Sequence, residues 1–534
     1  MEFFKLLFSE HIPDLRRFLG IVTVAGLTNA LVLALINTAA NQENRDNTLS
    51  LGLQFVLVVA AYTVSQRFVM STTAKEVERV IHRIRCRLID ELRNCELEGV
   101  ERIGRTVIFN GLSKEIQTIA QFGNALGMLA QSGVLLVFAT LYLIVVSLPA
   151  FVLTVAVTVC AASLYLARMA RIGKAIQTAT VAEYRLHDLL GGVVDGFKEI
   201  KLNAGRAAEA ADDVVQASQY AADQRTIAQS EFGRSFVFTQ NVLFLLLGTV
   251  VFLVPTLSDT PSSDVVKASA AVLFLFGPLG AVISTVPMLA GANTAARSIG
   301  ELERLLRKTG ESGPRTGSGV ATTTSFREIE LRGLTFHFDG AQRERPFQVG
   351  PIDLTLKAGE TLFISGGNGS GKSTFMRMLT SLYQSQAGMI LLDGRPLDAE
   401  GMAGYRSLFS SVFSDYHLFK RLYGLDEAAL SSAQALIEEF GLDDKVSLAG
   451  KELSTVDLSA GQRKRLALIV AMMEHRPICV LDEWAADQDP YFRRKFYEEV
   501  LPKMKEAGTT VICVTHDDRY FGLADRRVHL EEGR

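Results

Sequence analysis

The first 300 residues contain six long apolar runs, and these limit the possible folds more than any other feature. They lie near residues 18–40, 51–70, 124–147, 150–168, 235–257 and 267–290. A helix needs about 20 mostly apolar residues to cross a bilayer core, so each run predicts a membrane span. A tight turn at Pro149 is expected between the third and fourth spans. The sixth is interrupted by Gly277 and Pro278, where we expect a break or kink, either for flexing or for packing.

Composition supports a membrane domain followed by a different kind of domain. The chain has 534 residues, 48% hydrophobic residues and a mean hydropathy of +0.21. A chain of this length predicts two or three domains. The net charge of −3 gives no sign of a basic nucleic-acid surface, so no nucleic-acid partner is expected. The spacing of the five cysteines suits neither a zinc site nor a disulfide framework, and buried reduced thiols are expected.

Positive charges between the apolar runs predict the orientation of the spans. Residues 71–123 and 169–234 are rich in lysine and arginine, whereas residues 41–50 and 258–266 are not. Cytoplasmic loops carry the excess of lysine and arginine, so both termini and both long loops are expected in the cytoplasm. The N-terminal segment lacks a cleavage signal and fits an amphipathic helix lying on the inner face of the membrane.

The two long loops carry helical periodicity. Apolar residues recur at helical spacing from Val64 to Leu97, which predicts that the second span continues beyond the membrane. Residues 176–230 have the same character, and a short helix bounded by glycines is expected within 191–203. The predicted organisation is an all-α six-helix membrane domain at 1–307, a Gly/Ser/Thr-rich linker at 308–325, and an α/β P-loop domain with a largely parallel sheet at 326–534.

The α/β domain contains a phosphate-binding loop. The strand at residues 361–365 leads into the pattern G-x-x-x-x-G-K-S and then into an apolar helix. Its candidate binding residues are Gly366, Gly367, Asn368, Gly369, Ser370, Gly371, Lys372, Ser373 and Thr374. Backbone N–H groups of such a loop surround phosphates, and the helix directs its positive end at them. Lys372 is expected to reach the β/γ-phosphates, and the Ser373 hydroxyl is expected to ligate Mg²⁺.

Two further strands end in candidate catalytic residues. Residues 478–481 form an apolar run that ends in Asp482 and Glu483. An acid at a parallel strand's carboxyl end lies near the phosphate loop, where Asp482 would hold Mg²⁺ and Glu483 would orient and deprotonate water. His516 follows an apolar strand at 510–515 and is expected to contact the γ-phosphate. Each feature alone is weak, since acids often cap strands and isolated histidines are common.

The residues 458–462 read LSAGQ, which resembles the LSGGQ signature of ATP-binding cassette (ABC) transporters, with Ala460 in place of the first glycine. The phosphate loop, Asp482-Glu483, a D-loop-like segment at 486–489 and His516 follow the order of that family. Six spans before one cassette is the exporter arrangement, so the resemblance covers essentially the whole chain. It implies ATP and Mg²⁺ as cofactors, and it implies further ATP contacts from Phe338, Ser459, Gly461, Gln462 and Asp489.

The same resemblance implies an assembly. In this family, the signature of one cassette closes over ATP held by another, and this chain has a single cassette. A homodimer with two composite sites in a bacterial inner membrane is therefore expected. Short helices near Glu98–Phe109 and Asp195–Asn203 would be coupling helices that rest on the cassettes.

Two segments indicate a particular branch of the family. GFKEIKLN at 196–203 and DEWAADQDP at 482–490 resemble bacterial exporters of cyclic peptides and peptide siderophores, of the microcin-efflux, pyoverdine and syringomycin-secretion types. Two positions depart from the usual pattern. Trp484 replaces a proline and packs either on a dimer partner or on its own domain. Ser414 stands at the Q-loop glutamine, which puts the usual role of that loop in doubt.

The leading hypothesis is ATP-driven efflux of a peptide-like substrate by alternating access. A lipid or hydrophobic-drug flippase with the same cassette is the alternative. A non-transporting regulatory ATPase is disfavoured by Glu483, His516 and the six spans. Membrane lipid surrounds the chain in either transport hypothesis. Polar residues at membrane depth either line a cavity or bond between helices: Asn29, Asn37, Gln131, Gln240 and Asn241.

Overall fold

The computed structural model describes residues 3, 5, 15–40, 48–257, 261–310, 325–337 and 347–534. They form two compact units. The first comprises Met1–Ile89 and Thr106–Arg304, and the second comprises Asp90–Arg105 and Leu305–Arg534. The first unit is helical and the second contains the β-sheets, in agreement with the expected fold class. The predicted domain boundaries stay a prediction, and residues 311–324 of the linker lie outside the described residues.

Long helices carry all six apolar runs. In chain order the described helices up to the linker are α1 (Leu15–Ala40), α2 (Thr48–Arg93), α3 (Leu97–Ile103), α4 (Arg105–Asn110), α5 (Ile116–Val146), α6 (Leu148–Asp195), α7 (Phe197–Leu202), α8 (Ala204–Gly248), α9 (Val254–Leu257) and α10 (Ser262–Gly310). Single π-helical turns at Gly111–Glu115 and Thr249–Leu253 join neighbouring segments. In the described chain, five helices are long and apolar enough to cross a membrane, and α1 carries a shorter apolar stretch at Val22–Ile36.

The connection between the third and fourth spans is the tight turn that the sequence predicts. Ser147 precedes α6 in an extended conformation, and its hydroxyl accepts a hydrogen bond from the Ala150 N–H at 3.4 Å. Pro149 lies in the first turn of α6, where its missing N–H removes no helical hydrogen bond. The chain therefore leaves α5 and enters α6 across one residue.

The predicted break in the sixth span is wrong, because α10 continues through Gly277 and Pro278 and also through Pro287, while a kink at this point stays a prediction. A proline removes one hydrogen bond and crowds one carbonyl, while bonds on either side hold the helix. In transmembrane helices, neighbouring helices and local adjustments compensate for that loss. The short helix expected within 191–203 is α7, and Gly191 and Gly192 belong to α6.

The helical unit packs through apolar side chains. Helix α6 lies along α8, and α1 lies along α5. One buried cluster joins α5, α6, α8 and α10 through Leu143, Ala150, Leu246 and Val272. Many large side chains of this unit remain exposed, including Phe252 at 78% and Val145 at 84%. Exposed apolar faces on long helices are what lipid contact requires.

The cysteines are free thiols, as expected, but they are not all buried. Cys479 and Cys513 are buried in neighbouring strands, and burial raises the pKa of the Cys479 thiol to about 12. Cys86 and Cys160 are exposed, and Cys95 is half-buried. The expectation of burial was wrong for Cys86 because the charged end of α2 presents that face to solvent.

The second unit contains a mainly parallel sheet beside an antiparallel one. Its strands are β1 (Glu328–His337), β2 (Gln348–Lys357), β3 (Thr361–Gly366), β4 (Ala387–Leu392), β5 (Arg395–Pro396), β6 (Phe409–Val412), β7 (Leu448–Ala449), β8 (Glu452–Leu453), β9 (Ile478–Asp482), β10 (Thr510–Val514) and β11 (Arg526–Leu530). The parallel sheet has the order β11-β3-β10-β9-β6, and the antiparallel sheet has the order β2-β1-β4-β5. Strands β3, β9 and β10 are buried along their whole length, as continuous apolar runs predict.

Short helices surround the parallel sheet. They are α11 (Lys372–Leu379), α12 (Met402–Arg406), α13 (Glu427–Ser431), α14 (Ala433–Glu439), α15 (Ala460–Met473), α16 (Pro490–Lys495) and α17 (Leu501–Glu506). Between β6 and α15, the described chain has only the short helices α13 and α14 and the two-stranded ribbon β7–β8.

Trp484 packs inside its own unit, which decides between the two alternatives for this residue. Its side chain is fully buried, and its ring lies 4.5 Å from the ring of Phe496. The indole Nε1–H donates to the Lys464 carbonyl oxygen at 2.7 Å. The polar end of a buried tryptophan is thereby satisfied, as burial requires.

We expect the fluorescence of the chain's single tryptophan to be blue-shifted and poorly quenched by acrylamide, because Trp484 has no exposed surface. A matched control is Tyr491→Trp in a Trp484→Phe background, since Tyr491 is 59% exposed. The control should be quenched readily. Equal quenching of the two proteins would contradict the packing of Trp484.

Candidate nucleotide site

The phosphate loop follows β3 and depends on glycine at two positions. Gly366 has φ = 149°, and a Cβ there would lie 2.2 Å from the Leu530 carbonyl oxygen of β11. Gly371 has φ = 96°, and a Cβ there would lie 2.7 Å from Val349 Cγ2. Neither position has room for a side chain. The loop therefore stays close to the sheet and leaves its backbone N–H groups available to a phosphate.

Lys372 begins α11 and is 95% buried within the loop, since only 5% of its side chain is exposed. Its ammonium donates to the carbonyl oxygens of Gly366 at 3.1 Å and Gly367 at 2.9 Å. These bonds hold the charge beneath the loop. The nearby Ser370 hydroxyl is buried and has no hydrogen-bond partner among the described residues. A buried polar atom without a partner is typical of a ligand site.

Ser373 and Asp482 form an oxygen pair that fits Mg²⁺. The Ser373 hydroxyl donates to Asp482 Oδ2 at 2.9 Å, and Asp482 is almost fully buried. In the described chain, the other carboxylate oxygen, Oδ1, is buried without a hydrogen-bond partner. Mg²⁺ prefers oxygen ligands and is commonly held by one or two protein groups, together with phosphate oxygens and water. The described residues contain no cluster of three His, Cys, Asp or Glu side chains that could hold a metal ion.

Glu483, His516 and Lys372 lie together at the carboxyl edge of the parallel sheet. Glu483 Oε1 lies 3.3 Å from His516 Nε2 and 3.8 Å from Lys372 Nζ. The strand register explains this proximity, because Val514 of β10 pairs with Ile364 of β3 and with Asp482 of β9. Strands β9 and β10 therefore end at the same level, and β3 runs two residues further into the phosphate loop. A carboxylate, an imidazole and a lysine beside a phosphate loop can orient water against a bound phosphoryl group.

The backbone of Glu483 is held in a left-handed conformation, with φ = 51°. Its N–H donates to the Val514 carbonyl oxygen at 3.2 Å. Its own carbonyl oxygen accepts from Lys464 Nζ at 2.8 Å. Sparsely populated backbone conformations persist where surrounding contacts determine them, and they cluster at functional sites.

Lys464 is a residue of this site that the sequence reasoning missed. Its side chain is 7% exposed, and its ammonium also lies 2.6 Å from Asp487 Oδ2. It thereby joins the signature helix α15 to the backbone of Glu483 and to the segment that follows. Lys464 stands between Arg463 and Arg465 in the polar first turns of α15, so no separate signal for it was available in the sequence, and only its burial and its pairing distinguish it.

The signature residues shape the start of α15. Ser459 and Gln462 form a capping box: the Gln462 N–H donates to Ser459 Oγ, and the Ser459 N–H donates to Gln462 Oε1 at 3.1 Å. A Cβ at Gly461 would lie 2.8 Å from the Asp487 carbonyl oxygen. The Gly461 carbonyl oxygen accepts from Gln488 Nε2 at 3.1 Å. The signature and the D-loop-like segment are thus packed against each other.

Asp489 and Phe338 complete the set of predicted site residues. Asp489 caps α16 and accepts hydrogen bonds from the N–H groups of Tyr491 at 2.9 Å and Phe492 at 3.0 Å. The structure therefore gives Asp489 a capping role, and its contact with ATP stays a prediction. Phe338, the candidate adenine-stacking residue, lies outside the described residues.

Comparisons with known proteins identify the family. Residues 349–486 match the family model described as "ABC transporter". Over 99% of its length, the chain is 34% identical to "ATP-binding protein SyrD" of Pseudomonas syringae pv. syringae, of which it covers 95%. A segment of 38% of the chain is 30% identical to 33% of "Probable syringafactin export ATP-binding/permease protein SyfD" of P. syringae pv. syringae strain B728a. A match to "ATP-dependent lipid A-core flippase" of Alcanivorax borkumensis is 26% identical over 69% of the chain and 63% of that relative.

A solved structure extends the comparison to the whole fold. The "Structure of a bacterial Atm1-family ABC exporter with ATP bound" superposes with a TM-score of 0.74 at 18% identity, covering 98% of this chain and 95% of that one. Helices that can span a membrane, followed by an α/β unit with a phosphate loop, define a membrane transport ATPase. The chain belongs to the ABC transporter family. It has the exporter fold, it binds ATP, and it couples ATP hydrolysis to transport as a half-transporter of a kind that works as a dimer.

We expect Gly461→Ala to slow ATP turnover, because a new Cβ 2.8 Å from the Asp487 carbonyl oxygen must displace backbone. Overpacking of this kind costs about 1–3 kcal/mol. Ala460→Gly is the matched control and should cost at most about 1 kcal/mol. ATP hydrolysis and thermal unfolding of both variants check this. Wild-type turnover in Gly461→Ala would show that the packing of the signature on the Asp487 segment is unimportant.

Proposed function

We propose that this chain forms a homodimer that exports a peptide-like substrate across the bacterial inner membrane by alternating access, driven by ATP with Mg²⁺. The observation that carries the ATP-driven cycle is the grouping of Lys372, Glu483 and His516 at one sheet edge. Glu483 Oε1 lies 3.8 Å from Lys372 Nζ and 3.3 Å from His516 Nε2. The substrate class rests on separate support, which is the similarity of 38% of the chain to SyfD, whose name includes syringafactin export, and the resemblance of residues 196–203 and 482–490 to peptide exporters.

Each residue of the site receives a role in this proposal. Lys372 contacts the β- and γ-phosphates, while the backbone of Gly366, Gly367, Asn368, Gly369, Ser370, Gly371 and Thr374 surrounds them. Glu483 accepts the proton of the attacking water, and His516 contacts the γ-phosphate. Ser373 and Asp482 would hold Mg²⁺, which neutralises phosphate charge when it is bound. Phe338 would stack on adenine.

Two copies are needed because the chain contributes one cassette. Ser459, Gly461 and Gln462 would close over ATP held by the partner, with Asp489 nearby, which creates two composite sites related by a two-fold axis. The exposed position of Ser459 at the start of α15 supports this arrangement, since its side chain is accessible from outside its own unit.

The orientation follows from the loop charges. Both termini, both long loops and the cassette would lie in the cytoplasm, because residues 71–123 and 169–234 carry the excess of lysine and arginine. The coupling roles assigned to residues 98–109 and 195–203 stay predictions. ATP-driven closure of the cassettes would bias the membrane helices toward an outward-open state, and hydrolysis would reset them.

The cargo follows from the relatives and from the membrane helices. SyfD carries syringafactin export in its name, and two segments of this chain resemble peptide exporters. Among the polar residues at membrane depth, Gln131 is buried and Asn241 is exposed, while the side chain of Asn37 lies outside the described residues. A compact peptide hides many of its amides and can cross a cavity with few fixed charges. A lipid flippase is the second candidate, favoured by the 26% identity to a lipid A-core flippase.

We expect Glu483→Gln to retain ATP binding and to slow hydrolysis by about 10²–10⁴-fold, the usual effect of losing a general base. ATP turnover and nucleotide binding of the purified full chain measure this. Glu498→Gln, an exposed carboxylate elsewhere in the cassette, is the control and should turn over ATP normally. Near-normal turnover of Glu483→Gln would remove Glu483 from the role of base.

We expect peptide cargo to stimulate ATP turnover of the protein in reconstituted vesicles, because transport and hydrolysis share one cycle. Syringafactin and a pyoverdine are the peptide probes, and a lipid A-core preparation is the alternative probe. Uptake into inside-out vesicles should require ATP and should fail in Glu483→Gln. Movement of lipid A-core, with no response to either peptide, would transfer the function to the flippase.

A further inference from the structure

Arg377 joins three parts of the second unit. It lies on α11, five residues after the phosphate-loop lysine, and its side chain is 20% exposed. One guanidinium nitrogen donates to Asp415 Oδ2 at 2.8 Å. Another donates to the Tyr383 hydroxyl at 2.7 Å and lies 3.5 Å from Glu101 Oε1. The Arg377 side chain therefore contacts the loop after β6, the turn after α11 that carries Tyr383, and helix α3.

Tyr383 completes this network from the other side. Its hydroxyl donates to Glu101 Oε2 at 2.6 Å, so Glu101 is held by both Arg377 and Tyr383. The Tyr383 ring stacks on Phe336 of β1 at 4.9 Å, which fixes its position. Burial, with the Glu101 hydrogen bond, raises the pKa of Tyr383 to about 12, so the hydroxyl remains a donor at neutral pH. Arg377, Tyr383 and Glu101 are thus hydrogen-bonded to one another, which restrains their side chains.

Helix α3 has a second and separate attachment. Arg406, at the end of α12, donates to Glu96 Oε1 at 3.1 Å and to the Ser381 carbonyl oxygen at 3.0 Å. Glu96 and Glu101 lie at opposite ends of α3. Loss of one attachment therefore leaves the other in place, so the function of Arg377 can be tested without releasing α3.

Asp415 gives the network its functional interest. It directly follows Ser414 in the turn after β6. Ser414 stands at the position where related cassettes carry the Q-loop glutamine. A serine is too short to reproduce the reach of that glutamine. The described chain instead ties this turn to the phosphate-loop helix through the Asp415–Arg377 ion pair. Since Asp415 is 64% exposed, the ion pair contributes little to the stability of the fold. We therefore expect its loss to change the rate of ATP turnover.

We propose that Arg377 is a positioning residue that couples helix α3, through Glu101, to the turn of Ser414 and Asp415 beside the nucleotide site. This inference rests on the proposed ATP-driven cycle and names the contact through which α3 acts on it. A route between two sites requires evidence of energetic coupling as well as contact. The same side chain bonds both carboxylates, so a change at either one alters the position available to the other.

A double-mutant cycle on the full chain in lipid nanodiscs tests this. Glu101→Gln and Asp415→Asn are made alone and together, with Arg377 present and in an Arg377→Ala background. Each single change should lower kcat for ATP by about two- to thirtyfold and leave KM within about twofold. With Arg377 present, the double variant should be no slower than the worse single variant. In the Arg377→Ala background, neither Glu101→Gln nor Asp415→Asn should lower kcat any further.

The controls separate this inference from the proposed function. Arg332→Ala removes an exposed ion pair with Glu330 on β1 and should leave kcat unchanged. Arg377→Lys keeps the charge and should restore part of kcat. Additive effects of Glu101→Gln and Asp415→Asn on kcat would overturn the coupling. The proposed ATP-driven cycle would still stand in that case if the unmodified protein hydrolyses ATP and Glu483→Gln abolishes that hydrolysis.

A second measurement applies even where a variant is poorly active. Hydrogen exchange of residues 97–103 and 413–419 should accelerate together in Arg377→Ala, because both segments lose the same contact. In Arg406→Ala, only residues 97–103 should exchange faster. Unchanged exchange of either segment in Arg377→Ala would overturn the proposal.

Discussion

Parallel pairing of β3, β10 and β9 is the constraint on which the site depends. Val514 pairs with Ile364 on one side and with Asp482 on the other, so β9 and β10 end at one level beside the last residues of β3. Ser373 and Asp482 are 109 positions apart along the chain, yet the alignment of these strands allows them to form a hydrogen bond. Because the strands are buried along their length, a shift of register would place polar residues in the core.

Burial explains why the polar residues at this edge are held so firmly. Lys372 and Lys464 are each at least 93% buried, and each bonds to backbone carbonyl oxygens and lies beside a carboxylate. An unpaired buried charge would cost several kcal/mol, so these lysines restrict the backbone around them. Trp484 adds an apolar wall and bonds to the carbonyl of Lys464. Phosphate-binding and packing residues therefore alternate along the same short segments.

The segment Asp90–Arg105 shows how a helical loop becomes part of the nucleotide-binding unit. Its carboxylates bond to Arg377, Arg406 and Arg307, and Cys95 donates to the Leu306 carbonyl oxygen at 3.1 Å. These contacts are mainly charged and only partly exposed. The more exposed pair of Arg307 with Glu91 contributes little to stability, since surface ion pairs each contribute about 0–1 kcal/mol.

The sequence by itself determined whatever depends on neighbours along the chain. Six apolar runs predicted six helices, and strand–loop–helix order predicted the phosphate loop, because hydrophobic length and glycine spacing are local properties. Tertiary structure decided what depends on distant partners. The helix α10 passes through Pro278 although a proline removes one helical hydrogen bond, a loss that transmembrane helices tolerate. Trp484 faces its own core, and Arg377 meets Glu101 and Asp415 across 276 and 38 positions, which no local pattern could show.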